Sequence, residues 1–404
     1  MLAQIEQDGT LFNVPLAYVI EGEFDVARFK KSLACLLERH EILRTVFPLI
    51  EGEPKQRVAS FSAEFLDAIF SERDVQDLSP PEIENLLTKE TRTIFDLEAG
   101  PMFKVLVAKE SSERQLLLVT LHHIVTDGWS VRLMMQELIS HYQIDQDDDS
   151  VLPDLSFQYR DFAAWQNRQI QSGAMAAHQK FWIEQFSEGI PTLELHTDFP
   201  RPAVQSFNGA EISFSFDASL VEAIHQLSRR CSASFYMTLV TLIQTLLLRH
   251  SQQESIIVGM PVSGRARSDL DDQLGLYINT MALKTDLPMS LTAVEAIEVV
   301  RNNFINAYEY QAYPFDLLVD DLDLDRDLSR SPLFDVMVIL QDSGATGDSE
   351  STLRLSPLPM PSTSSKYDLT FHLEERASEL HLSIEYNTDL FSASRIKGLG
   401  EQFG

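Results

Sequence analysis

The 404-residue chain carries 32 basic against 61 acidic residues, a formal charge of -29, which argues against nucleic acid or an anionic membrane as its main partner. Its hydrophobic fraction of 44% is that of a globular protein with a large core, and the length suits two or three domains or lobes. The two cysteines, Cys35 and Cys231, form no Cys-x-x-Cys spacing, so zinc and dithiol chemistry find no support and a reduced, cytoplasmic setting fits. The N-terminal residues show no basic stretch followed by an apolar one, so no signal peptide is expected. The longest apolar run, Tyr236 to Leu248, is too short to span a bilayer and reads as a buried helix.

Taken in order, residues 14–21 read as a strand. Residues 25–40 place Val26, Phe29, Leu33, Leu36 and Leu37 on one helical face, with Asp25 suited to the N-cap. The stretch Arg39 to Phe47 follows, and its second half alternates in strand fashion. Residues 79–94 suggest another helix, and residues 102–108 with 115–121 a hairpin. The acidic run Asp145 to Asp149 reads as a solvated loop. Residues 157–187 are helical and aromatic, with Tyr159, Phe162, Trp165, Phe181 and Trp182 at core-like spacing. Residues 193–204 form a Pro-containing connector. The second half repeats the grammar: strands near 212–216, 255–260, 334–341, 367–375 and 379–387, and helices at 218–230, 234–250 and 292–311. A Ser-, Gly- and Pro-rich stretch around 342–366 reads as a mobile loop or crossover. The expected division is a first lobe over 1–165 and a second over 166–404.

The most informative stretch is Leu121-His122-His123-Ile124-Val125-Thr126-Asp127-Gly128-Trp129-Ser130. It joins an apolar strand to a segment, 131–141, with apolar residues at helical spacing. Strand-to-helix turns expose side chains on a fixed support and often carry function. His123 is suited to acid–base work near neutral pH. Asp127 is suited to orient an imidazole or to pair with a cation. Of Arg39 and Arg44, each equally readable as solvated, one is expected to pair with a buried carboxylate, and Asp127 is the carboxylate chosen.

These residues resemble one family, the condensation domains of non-ribosomal peptide synthetases, through six motifs in the family's order. Arg39 to Phe47 matches the arginine-rich motif, and His122-His123-Ile124-Val125-Thr126-Asp127-Gly128 the HHxxxDG motif. Tyr159 to Trp165 matches the aromatic motif, and Leu274 to Thr280 the Gly/Asn-Thr motif. Tyr310 to Asp316 looks like the Pro-Phe motif, with Tyr310 where His is usual. Arg326 to Leu333 matches the last. The family's first motif, an Ala-Gln segment, is not recognisable as a whole around Met1-Leu-Ala-Gln, and the chain looks like an excised piece of a longer multidomain protein.

The resemblance implies an α/β fold of two chloramphenicol-acetyltransferase-like lobes, a V-shaped pseudo-dimer with a central tunnel. It implies peptide-bond formation between a carrier-bound acyl or peptidyl thioester and a carrier-bound aminoacyl acceptor. His123 and Gly128 would be catalytic. His122, Asp127, Arg39 and Arg44 would be structural, with Asp127 paired to an arginine, most plausibly Arg39. Trp129, Ser130, Tyr277 and Asn279 are candidates to line the substrate tunnel. No metal and no resident cofactor are implied; phosphopantetheine arrives on donor and acceptor carrier proteins, beside an adjacent adenylation domain. Domains joining an L-configured donor to an L-acceptor, or those at polyketide junctions, are the nearest subtype. The competing readings are a free-standing coenzyme A-dependent acyltransferase, which would share HxxxD, and a catalytically inactive recruitment domain of the same fold, which would tend to lose the motif kept here.

Overall fold

Leu116 to Leu121 is a run of apolar residues broken only by Thr120, and a strand with such a run must be covered on both faces. The computed structural model, which describes residues 9–143, 152–324, 327–341, 353–360 and 363–404, gives it both covers. The acidic run 145–149, Met1-Leu-Ala-Gln, Arg326 and most of the stretch 342–366 lie outside those residues.

The chain divides into two compact units. The first comprises Met1–Gln169, Arg265–Tyr277 and Ala345–Met360, the second Ile170–Gly264, Ile278–Gly344 and Pro361–Gly404. Two short segments from the second half of the chain thus belong with the first unit.

In the first unit, β1 (Asn13–Glu21), β2 (Phe70–Asp74), β3 (Phe103–Lys109) and β4 (Arg114–His122) form one sheet with the segment Arg354–Pro357. The order is Arg354–Pro357, β1, β4, β3, β2, antiparallel throughout except between β2 and β3. Leu117, Val119 and Leu121 of β4 pack against α1 (Val26–Arg39) and α3 (Gly128–Gln143), through Phe29, Leu33, Leu36, Met134 and Leu138. Leu116 and Leu118 face the other way, onto Ile83 and Leu87 of α2 (Pro80–Thr91). Each fully buried leucine contributes about 1.5–3 kcal/mol, so β4 is the unit's most firmly held strand. Asp25 caps α1, its Oδ1 accepting from the N–H groups of Ala27 and Arg28.

Two local expectations change. The helical stretch 157–187 breaks into α4 (Tyr159–Gln171) and α5 (Ala176–Phe186), because Gly173 turns the chain at φ 75°. After α1 the chain makes a 3₁₀ turn, Glu41–Arg44, and only two strand residues, Thr45–Val46. The Arg44 guanidinium donates to the carbonyls of Leu37 (2.6 Å) and Ala59, and this hold on backbone from both sides folds the alternating segment back on the helix.

The second unit is built on a six-stranded mixed sheet of β5 (Gly209–Phe216), β6 (Ser255–Val262), β7 (Asn279–Asp286), β8 (Val336–Gln341), β9 (Leu369–Arg376) and β10 (Glu379–Asn387), in the order β7-β6-β8-β9-β10-β5. Around it lie α5, α6 (Ala218–Arg230), α7 (Phe235–Ser251), α8 (Ala293–Glu309), α9 (Phe315–Asp321) and α10 (Ala393–Phe403). α7 buries Leu239, Val240, Ile243 and Leu247 in this core, which accounts for its apolar run. Among the described residues no single helix is long and apolar enough to cross a membrane.

Candidate active site

β4 ends at His122, and a single 3₁₀ turn, His123–Val125, leads to the start of α3 at Gly128. The two histidines part at that junction. His122 is only 8% exposed; its Nδ1 accepts from the Ile124 N–H at 3.1 Å, and its ring lies near Phe12 and edge-on to Phe95. His123 is half-buried, and its backbone N–H donates to the Phe12 carbonyl at 2.7 Å. The change from strand to 3₁₀ turn at this point leaves one imidazole inside and the other half-buried.

Asp127 is the N-cap of α3. Its carbonyl accepts the first helical bond, from Val131 at 2.9 Å, and its Oδ1 accepts from the Ser130 N–H at 2.8 Å. Its Oδ2 accepts from the Tyr277 N–H at 2.9 Å. The nearby cation is Arg265, with Nη2 3.7 Å from Asp127 Oδ1 and side-chain exposures of 1% and 3% for the pair. The Arg265 guanidinium lies 4.1 Å from the centre of the Tyr277 ring, donates to Ser130 Oγ at 2.9 Å and donates to the Leu270 carbonyl. Burial pushes this guanidinium down, and the Asp127 carboxylate opposes the shift.

The expected pairing of Arg39 with Asp127 is therefore corrected. Arg39 donates its Nε to Glu137 Oε1 at 3.2 Å and an Nη1 to the Pro153 carbonyl at 2.6 Å. Asp127 and Glu137 stand ten residues apart, about 15 Å along the helix, so an arginine at the end of α1 reaches the far carboxylate and not the cap. Arg44 holds backbone carbonyls, as described above. Glu137 also meets His40, Nε2 to Oε2 at 2.7 Å. Burial alone would raise the Glu137 carboxyl, but the hydrogen bond and charge of His40, with Arg39, outweigh it and hold it below its ordinary range.

Burial pushes the nearby His141 imidazole down, against the pull of Glu137. Both shifts carry one sign. A depressed carboxyl stabilises the fold above its unfolded pKa of about 4.3, and a depressed imidazole above about 6.5; both contributions are lost as pH falls. Glu137→Gln should lower stability near pH 7.5 by on the order of 1.5–3 kcal/mol, a deficit that shrinks by pH 4. Denaturant titrations of both proteins at the two pH values check this, and a pH-independent difference would count against it.

The other candidates separate. Trp129 is 37% exposed; its Nε1 donates to the Asp271 carbonyl at 2.9 Å, and the Arg132 guanidinium lies 4.7 Å from its ring. Ser130 and Tyr277, expected at a substrate-lining surface, are 1% and 4% exposed and lie inside the first unit, a second correction. Both are drawn in because the loop 265–277 packs on the start of α3. A Cβ on Gly275 would lie 2.2 Å from the Tyr159 ring, so this approach requires glycine. Tyr159 donates to the Leu276 carbonyl at 2.9 Å; burial first and Asp127 second push its hydroxyl up to about 12. Asn279 belongs to the second unit, where its amide donates to the carbonyls of Gln311 (2.7 Å) and Tyr313 (2.6 Å) and its Oδ1 accepts from the Phe315 N–H. It clamps the turn before α9, which joins the Gly/Asn-Thr and Pro-Phe motifs, and it too is spent on internal bonds. Tyr310 stacks on Phe181 at 4.2 Å, which suits a tyrosine in place of histidine there.

Two important residues lay outside the sequence reading. Nothing in the spacing marks Arg265 among 32 cations. Glu137 did carry a signal: it sits among Met134, Met135 and Leu138, where a carboxylate must find a partner.

The model of the family described as Condensation domain matches residues 1–404. Tyrocidine synthase 3 of Brevibacillus parabrevis is 36% identical over 404 residues, and gramicidin S synthase 2 of Brevibacillus brevis 34% over 403. Each alignment takes in 100% of this chain, but the chain spans only 6% and 9% of those relatives' lengths. Among solved structures, the X-domain bound to OxyB from teicoplanin biosynthesis superposes with a TM-score of 0.88 at 21% identity, covering 100% of this chain and 89% of that one. A four-domain nonribosomal peptide synthetase bound to AMP and glycine gives 0.87 at 19%, covering 100% and 31%. At such identities these two likenesses speak for the fold alone, and the family rests on the match along the whole sequence: this chain belongs to the condensation-domain family.

Proposed function

We propose that this domain joins a carrier-bound acyl or peptidyl thioester to a carrier-bound aminoacyl acceptor, and that the junction of β4 and α3 carries the reaction. The observation that supports it is the helix start. Asp127 Oδ1 takes the Ser130 N–H, while among the described residues no acceptor meets the N–H groups of Gly128 and Trp129, at an exposed turn five residues from the half-buried His123. Apart from its chain neighbours and its own helix backbone, no atom lies within 4 Å of where a Cβ on Gly128 would be, so a substrate can approach that backbone closely. Orphan N–H groups at a helix start suit a developing oxyanion.

In this reading the acceptor's neutral amine attacks the thioester carbonyl. The carbonyl oxygen takes up charge toward the Gly128 N–H. His123 hydrogen-bonds the amine and accepts its proton as the C–N bond forms. The intermediate then expels the thiolate, which takes a proton, so the C–S bond breaks and an amide and a free thiol remain. His122 and Asp127 hold the turn. Phosphopantetheine belongs to the carrier proteins and supplies the thiol ends; an adenylation domain would load the acceptor. The two compact units correspond, in this reading, to the two acetyltransferase-like lobes, with Trp129 at a substrate-facing surface. An L-configured donor with an L-acceptor, or a polyketide junction, is the subtype favoured.

The test is amide formation between donor- and acceptor-loaded carrier proteins, followed by mass spectrometry of the acceptor carrier. Product that appears with acyl-coenzyme A and a free amine, with no carrier present, would favour the coenzyme A reading. No product from any donor in a panel of loaded carriers would favour a recruitment role.

A further inference from the structure

We propose that Ser130 is a positioning residue for this reaction: its hydroxyl fixes the loop 265–277 against the first turn of α3 and so sets the direction of the Gly128 N–H. The inference rests on the function proposed above, but its structural half stands on geometry alone. A serine hydroxyl offers one donor and two acceptor sites. Ser130 uses all three: it donates to the Gly275 carbonyl at 2.8 Å and accepts from the Gly275 N–H at 3.1 Å and from Arg265 Nη2 at 2.9 Å. One hydroxyl thus grips both polar groups of Gly275. It also grips the guanidinium that begins the loop, which itself donates to the Leu270 carbonyl.

Two further bonds of the loop lead to the same turn. The Tyr277 N–H donates to Asp127 and the Trp129 indole donates to the Asp271 carbonyl, both at the cap and first turn of α3, while elsewhere on the loop Tyr159 donates to the Leu276 carbonyl and Gln273 to the Phe157 carbonyl. That turn also carries the N–H groups offered to the oxyanion. The Asp127 carboxylate holds the loop at Tyr277, and the Ser130 hydroxyl holds it at Gly275 and Arg265. Asp127 Oδ1 stands 3.7 Å from Arg265 Nη2, and the serine hydroxyl makes the shorter contact, 2.9 Å, to the same nitrogen. Without the hydroxyl, Gly275 and Arg265 have to find new partners in a buried site, and the loop and helix start must shift together.

The experiment uses Ser130→Ala on the whole chain, with Ser228→Ala as control. Ser228 is another buried serine, bonded to the Ile224 carbonyl and Thr238 Oγ1 in the second unit, far in sequence from the motif. Three things are measured: kcat and KM with loaded carriers, melting temperature, and amide hydrogen exchange of peptides covering 265–277. Ser130→Ala should lower kcat by about 10- to 100-fold, the range expected when an oxyanion donor is misplaced, with KM for both carriers little changed. Exchange at Gly275 and Tyr277 should quicken, and the melting temperature should fall no further than in Ser228→Ala. Wild-type kcat in Ser130→Ala would overturn the proposal. So would unchanged exchange in the loop, or a loss of rate that merely follows the loss of folded protein in both variants. A wild-type chain that forms no amide would instead overturn the function on which this rests, and the exchange arm would still decide whether Ser130 holds the loop.

Discussion

Arg265→Ala should lose soluble yield and about 3–5 kcal/mol of stability, the cost of removing one partner from a buried ion pair. Asp127 is left behind at 3% exposure, and with its cap and loop bonds intact it cannot turn to water. Asp127→Ala should be comparably damaging, because it removes the α3 cap and the Tyr277 acceptor together. Asp127→Asn is the finer probe. Asp127 uses both oxygens as acceptors, for Ser130 and for Tyr277; an asparagine has one, and whichever way it turns an N–H faces an N–H. Arg39→Ala should also destabilise, but through Glu137, so its effect should add to that of Arg265→Ala, since the two pairs share no residue. Denaturant unfolding of the single and double variants checks this. Wild-type stability in Arg265→Ala would remove the pair from the scaffold, and strong non-additivity would mean that the two ends of α3 act as one network.

The same two ion pairs mark where a sequence stops being readable. The apolar run in β4, the helical face of α1 with its Asp25 cap, and the hairpin of β3 and β4 follow from local patterns, and all of them are present in the fold. A charge partner is not a local pattern. Asp127 and Arg265 are separated by 138 residues and meet because the loop between β6 and β7 belongs to the first unit, with Leu274 in that unit's core. Arg39 stood nearer in sequence and was the natural choice, but the rise of α3 puts it opposite Glu137. Likewise no periodicity reveals that Arg354–Pro357 adds a strand beside β1, or that Asn279 closes the turn before Phe315. A helix-period pattern also does not register a four-residue break, which is why 157–187 read as one helix. The residues expected to touch substrate divide for a related reason. Spacing locates a turn but not the burial of each member, and Trp129 and Ser130, neighbours in sequence, lie 37% and 1% exposed.

His123→Ala should leave folding intact and reduce amide formation by about 10²–10⁴-fold, the usual contribution of a positioned acid or base. The side chain is half-buried at the end of a strand that is fixed by its neighbours, so its removal creates no large cavity and leaves the Phe12 backbone bond in place. His122→Ala should behave in the opposite manner. It removes the acceptor for the Ile124 N–H and a ring packed beside Phe12 and Phe95, so melting temperature should fall first and rate should follow the folded fraction. Carrier binding, followed by fluorescence anisotropy with labelled loaded carriers, should be unchanged in His123→Ala. The pH–rate profile separates two roles for His123. If it removes the proton, the variant loses rate most where the wild type is fastest and its profile flattens on the acid side. If it only orients the amine, the profile keeps its shape at a lower level. A His123→Ala domain that condenses at wild-type rate with a good aminoacyl acceptor would show that holding the two substrates in place is sufficient, and would leave the Gly128 turn as the chemical centre of the site.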